Sequence, residues 1–167
     1  MSMQNVQVFH FEDNGVIPNN PRLPVVFYTA AFKDNLERIQ QVFEKHGWGN
    51  SWQGGVFDFH HYHSNTHEVL GVMSGSARLQ LGGESGQNVE VAAGDVCVFP
   101  AGTGHKRLSA SEDFLIVGAY PGGVEYNLKT GELGERPYVL EDILNTPLPK
   151  TDPVYGDAGP LFSAWNI

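Results

Sequence analysis

The stretch His60–Glu68, HHYHSNTHE, holds four of the seven histidines in the chain. Imidazole nitrogens bind transition metals, and their charge changes close to neutral pH. Such a cluster points to a metal centre or to a pH-sensing group; the plain alternative is a polar loop that collects histidines without a shared task. Side chains two apart on a strand point to the same side. His61 and His63 then share a face with Phe57 and Phe59, and His60 and Tyr62 face the other way. Two imidazoles on one face can converge on a single ion, with a third ligand from a neighbouring strand. After the turn at Ser64–Thr66 the chain re-enters a strand at His67–Glu68, which can bring one of those two side chains back to the ion. His10 and His60 read as ordinary polar residues.

A second stretch, Gly94–His105, GDVCVFPAGTGH, ends on another histidine. Gly94 and Asp95 read as a hairpin turn, and VCVFP as a buried strand closed by a proline. Gly102 and Gly104 permit a tight turn that delivers His105 to the start of the next strand. Alternation places Arg107 on the face of His105, where it either forms a salt bridge at the mouth of the fold or clamps an anionic substrate group. Phe57 and Phe59 read as lining, and Tyr120 and Trp52 as rim residues that could equally be simple packing. Cys97 is out of phase with Val96 and Val98 and reads as a small buried hydrophobe, not a nucleophile.

Sheet structure must carry both stretches. From Gly54 to Pro121 the chain breaks into short β-rich runs, GVFDFHHYH, EVLGVMS, ARLQL, NVEVAAG, DVCVFP and DFLIVGAY, each bounded by turn formers. Short strands at this spacing predict an antiparallel barrel or sandwich. Ahead of them, VQVFHF and LPVVFYTA read as β segments of an extended arm. One long helix follows, with Asp34 as N-cap, Glu37 completing a capping box, a stripe of Leu36, Ile39, Val42 and Phe43, and Gly47 as terminator. Residues 138–144, YVLEDIL, read as a short helix, and the Pro/Gly-rich end as an ordered strap. The chain is one domain: an N-terminal arm and helix over 1–53, a barrel core over 54–121 and a C-terminal strap over 122–167.

Charge and composition remove several classes of function. A net charge of −9 without a Lys/Arg run argues against nucleic acid and anionic membranes as partners. The longest apolar runs, such as LPVVFYTAAF, are too short to span a bilayer. The N-terminus lacks the basic and apolar regions of a secretory signal, and one cysteine cannot form an internal disulfide. These features place the protein in the cytoplasm.

The two stretches together resemble the two motifs of the cupin superfamily. In the first, Gly55 is followed after five residues by His61, then His63, then Glu68, then Gly75. In the second, Gly94 leads to Pro100, Gly102 and His105. Ser109 stands where the family usually has Asn, a departure at a supporting position. PNNPRLP, GWGNSWQGGVFDFHHYHSNTHEVLGV and TDPVYGDAGPL are similar to the bacterial YjlB-type single-domain cupins. The resemblance implies an all-β fold, a jelly-roll barrel of the double-stranded β-helix type, with one N-terminal helix and extended terminal segments. It also implies one divalent transition metal (Fe, Mn, Ni, Zn or Cu) held by His61, His63, Glu68 and His105. Glu68 and the adjacent His67 face opposite sides of a strand, and the spacing matches the motif form that uses Glu; His67 then faces the outer shell or an interface.

The expected function is that of a metalloenzyme acting on a small polar or acidic metabolite, with oxygen-dependent oxidation leading and isomerase or decarboxylase chemistry as further options. The alternative is a non-catalytic module that binds a small ligand or senses metal. The partners are a small-molecule ligand, contacted by Arg107, Phe57, Phe59 and Tyr120, and a second copy in a homodimer, where the β-rich arm can cover a sheet edge.

Overall fold

A computed structural model describes residues 5–167; the first four residues of the arm lie outside it. Among the described residues nine strands form two antiparallel sheets: β1 (Val6–Phe9), β2 (Val25–Tyr28), β3 (Trp48–Gly54), β4 (Glu68–Ser74), β5 (Ser76–Leu81), β6 (Gln87–Ala92), β7 (Val96–Phe99), β8 (His105–Ala110) and β9 (Leu115–Pro121). The larger sheet runs in the order β1-β2-β7-β4-β9-β3 and the smaller in the order β6-β5-β8. This is the expected jelly-roll architecture. The segment read as an arm is integral to it, because β1, β2 and most of β3 belong to the larger sheet.

The larger sheet is covered on both faces, which explains why VVFY and VCVF are apolar at every position. Val25, Phe27, Leu70, Cys97, Phe99 and Ile116 face the smaller sheet and meet Leu79, Leu81 and Val91. The alternate residues, among them Val26, Tyr28, Val69, Val96, Val98 and Val117, pack on the opposite side under two helices, α1 (Ile39–Lys45) and α3 (Pro160–Trp165). A Cβ on Gly71 would stand 2.5 Å from Ile39 and 2.9 Å from Phe43, so its bare backbone sets how closely α1 lies on the sheet.

Several expectations need correction. Asp34 is not a helix cap: a short 3₁₀ turn over Leu36–Arg38 precedes α1, and neither has a side-chain cap. The strap is not extended throughout, because it contains α2 (Tyr138–Asn145) and α3. Asp152 orders its end: the buried carboxylate accepts the Tyr28 hydroxyl and the N–H groups of Val154, Tyr155 and Leu161. The run 55–63 is not a continuous strand; His61 and Tyr62 make isolated bridges to His105 and Lys129. Gly94 does turn the chain (φ +98°), but it joins β6 of one sheet to β7 of the other, so it is a crossover and not a hairpin.

Candidate metal centre

Strand phase decides where Glu68 points. It opens β4 and alternates with Leu70, so both face the space between the sheets, while His67 turns to the other side. His105 opens β8. His61 is fastened to it by paired backbone bonds, His61 N–H to His105 O at 3.2 Å and His105 N–H to His61 O at 3.0 Å. Tyr62 makes the equivalent pair with Lys129, each 2.9 Å, so the histidine segment is held from both sides.

The turn before His105 is held by the arm. Gly102 has φ +92°, where a Cβ would come within 2.7 Å of the Asn19 carbonyl, and its N–H donates to His63 O. Asn19 accepts the Gly104 N–H at 3.0 Å and donates to Gly82 O and Glu12 O. Asn20 donates to Ala101 O.

His63, Glu68 and His105 bring one ligand atom each within 4.8 Å of the others, and all three are buried. His61 lies outside that group, but its ring is 4.1 Å from the His105 ring. Each of the three imidazoles has Nδ1 against a backbone carbonyl: His61 with Phe59 O at 3.0 Å, His105 with Thr103 O at 3.0 Å, and His63 with Asn127 O. A carbonyl oxygen only accepts, so Nδ1 carries the proton in all three. In the neutral rings Nε2 is then a lone pair. The Nε2 atoms of His63 and His105 stand 3.5 and 3.3 Å from Glu68 Oε1, a buried oxygen without a hydrogen-bond partner among the described residues. Lone pairs facing a carboxylate in a buried site repel one another unless a proton on Nε2 or a metal ion lies among them. This donor set therefore fits a metal ion, with carbonyls acting as the outer partners that fix ring orientation.

Glu68 is oriented from its other oxygen. Tyr120 donates its hydroxyl to Oε2 at 2.7 Å, and Trp52 Nε1 donates to the Tyr120 hydroxyl at 2.8 Å. Burial alone would raise the Glu68 pKa, but His63 and His105 outweigh it and hold the carboxyl below its usual range. Burial pushes the His61 pKa down to about 3, with His105 adding to the effect. Burial also opposes charge on His63, yet the Glu68 carboxylate lifts its pKa above the ordinary value.

The donors sit at the base of a cavity of about 220 Å³. Phe57 and Tyr120 line it. Phe59 stacks on Phe57 with centroids 4.9 Å apart but borders a different hollow, beside Asn14 and His60. Arg107 does not reach the cavity; its guanidinium lies 4.0 Å from Asp58 near the surface. His67 is occupied elsewhere: Nδ1 accepts the Ala101 N–H at 2.9 Å, so Nε2–H donates to Pro147 O, and the ring lies 4.8 Å from Trp165. His60 pairs with Glu84 at 2.7 Å. Sequence reasoning missed Tyr126, which stacks on Tyr120 at 4.6 Å and lines the cavity, and Asn127, whose carbonyl holds His63.

Residues 51–116 match the model of the Cupin domain family. The Uncharacterized protein YjlB of Bacillus subtilis (strain 168) is 47% identical over 162 residues, covering 97% of this chain and 98% of the relative. Among solved structures, acireductone dioxygenase from Bacillus anthracis, with a cadmium ion in its active center, is 19% identical over 54% of this chain and 60% of its own, with a TM-score of 0.39. Procruciferin, an 11S globulin of Brassica napus, is 17% identical over 71% of this chain and 30% of its own, with a TM-score of 0.42.

Proposed function

Because the chain belongs to the cupin superfamily, and within it to the family of the Bacillus subtilis protein YjlB, we propose that it is a metalloenzyme acting on a small polar or acidic metabolite. His61, His63, Glu68 and His105 hold one divalent transition metal. The observation that carries this reading is Glu68 Oε1, without a hydrogen-bond partner among the described residues, facing His63 and His105, whose Nδ1 protons are committed to carbonyls. Three imidazoles and a carboxylate suit Fe, Mn, Ni, Cu or Zn. Such an ion supplies Lewis acidity and positions open to a reactant. The chain's own residues fix the donors, exclude water and present an apolar wall.

Oxygen-dependent oxidation is the leading subclass. Its test is the addition of nitric oxide to iron(II)-loaded protein without oxygen, followed by electron paramagnetic resonance. A high-spin iron–nitrosyl signal is expected. No signal from fully loaded protein means a closed site, and the non-catalytic binding module then replaces the enzyme. We also read the protein as a cytoplasmic homodimer. The arm strand β1 pairs with β2 of its own chain and is itself the outer edge of the sheet, available to a second copy. Light scattering tests this, and a monomer at micromolar concentration removes it. Among the described residues no helix is long and apolar enough to cross a membrane.

A further inference from the structure

We infer that the cavity takes a small monoanionic acid with a flat, apolar body, of the size of a hydroxybenzoate, and rejects sugars and dicarboxylates. This rests on the metal-centre reading, because the acid group needs a cation and the wall supplies none.

Beyond the four donors, the wall is formed chiefly by Trp52, Val56, Phe57, Leu70, Ile116 and Tyr126. None of the described lining residues is Lys, Arg, Asn, Gln, Ser or Thr. The Tyr120 hydroxyl is committed at both ends, to Glu68 and to Trp52. One further hydroxyl, that of Tyr126, remains on the wall. Arg107 stands outside, against Asp58. A ligand with several hydroxyls, or with a second carboxylate, would bury groups that find no partner. Each such group lowers affinity by about tenfold or more. A single acid group would be met by the ion that the four donors would hold, with the Tyr126 hydroxyl as the one remaining partner on the wall.

Size and shape narrow the body. An apolar cavity of about 150 Å³ holds a benzene ring. The 220 Å³ here holds a ring, its carboxylate and one more oxygen. At the mouth Phe57 and Tyr126 are 50% and 43% exposed, each already stacked on a second ring, Phe59 and Tyr120. Partly exposed aromatic rings on the wall favour a planar guest over a branched or hydrated one.

The test is calorimetric titration of manganese(II)-loaded protein with 2-hydroxybenzoate, succinate and glucose, with metal content measured on the same samples. Paramagnetic broadening of the ring protons reads proximity to the ion. 2-Hydroxybenzoate is expected to bind about tenfold or more tighter than succinate, with glucose silent and the ring signals broadened. Phe57→Ala and Tyr126→Ala, both at half-exposed positions, should each weaken the aromatic probe by about tenfold without loss of metal. Metal-replete protein that prefers succinate or glucose, or variants that bind the probe unchanged, would overturn the inference and leave the metal centre standing. Protein that takes up no metal yet still binds the probe through Phe57 and Tyr126 would overturn the metal centre and keep the wall's selectivity. Loss of both removes both.

Discussion

The Tyr120 hydroxyl holds Glu68 by one oxygen only. Its 2.7 Å bond goes to Oε2, while Oε1 is left facing His63 and His105. Trp52 in turn holds Tyr120, so a chain of two hydrogen bonds decides which carboxylate oxygen would be offered to a metal ion.

Tyr120→Phe removes that orientation and leaves the ring. Outer partners of this kind contribute about tenfold or more in metal affinity. The variant should keep its far-ultraviolet circular dichroism and lose about tenfold in affinity in competition with a chromogenic chelator. Unchanged affinity would show that packing alone orients Glu68.

Asn19→Ala should destabilise the fold by about 2–4 kcal/mol. The side chain makes three hydrogen bonds in a buried place, and its backbone has φ +53°. Asn19→Gly relieves the backbone but not the lost bonds, so urea unfolding of both variants separates the two effects. If both unfold like the parent chain, the arm does not hold the turn that delivers His105.

Cys97 is buried between the sheets, and burial raises its thiol pKa well above the ordinary value. It should resist a thiol-specific chromogenic reagent at pH 8 in the native protein and react fully once the chain is unfolded in urea. Rapid native reaction would mean that the space between the sheets opens.

How much of this was legible in the sequence depends on what each residue uses to act. The histidines and Glu68 act through their side chains at fixed spacing, and strand phase correctly set His67 opposite Glu68. The pairing of His61 with His105 needs only a bridge, so the broken strand over 55–63 did not disturb it. Asn127 acts through its backbone carbonyl, which every residue has, so no signal marked it. Tyr126 sits in a loop without periodicity. Arg107 does keep the strand phase of His105, since the two pair with Leu79 and Leu81, but two residues along the strand it is away from the donors and its guanidinium lies beside Asp58 near the surface. Asp34 looked like a cap by type and spacing, yet tertiary packing started the helix later. The doubly buried strands hid the true size of the larger sheet, because a short apolar run such as VVFY carries no alternation.

Acid should loosen the contact between the arm and the 127–136 segment. Arg136 lies 2.6 Å from Asp13 and, chiefly through its hydrogen bonds, holds the Asp13 pKa below 3.8. Burial would raise Glu135, but the bond from Tyr62 and backbone N–H groups outweigh it and hold the carboxyl below 4.5. Both folded values are depressed, so their stabilisation is complete above the unfolded values and is lost as pH falls through the folded ones. Asp13 is partly exposed, so its share is under about 1 kcal/mol. Urea midpoints should fall between about pH 5 and pH 3, and Asp13→Asn and Glu135→Gln should each flatten the fall. Variants that follow the parent slope would place the acid response elsewhere.

The most direct measurement is elemental analysis of purified protein beside its single-site variants. One equivalent of a divalent transition metal per chain is expected. His61→Ala, His63→Ala and His105→Ala should each lose most of it, and Glu68→Gln should weaken binding. His67→Ala should keep the metal even if its stability drops, because both ring nitrogens of His67 are engaged on the other side of the sheet. Metal that survives in the Glu68 and His63 variants, or that is lost only with His67, would contradict the centre described here.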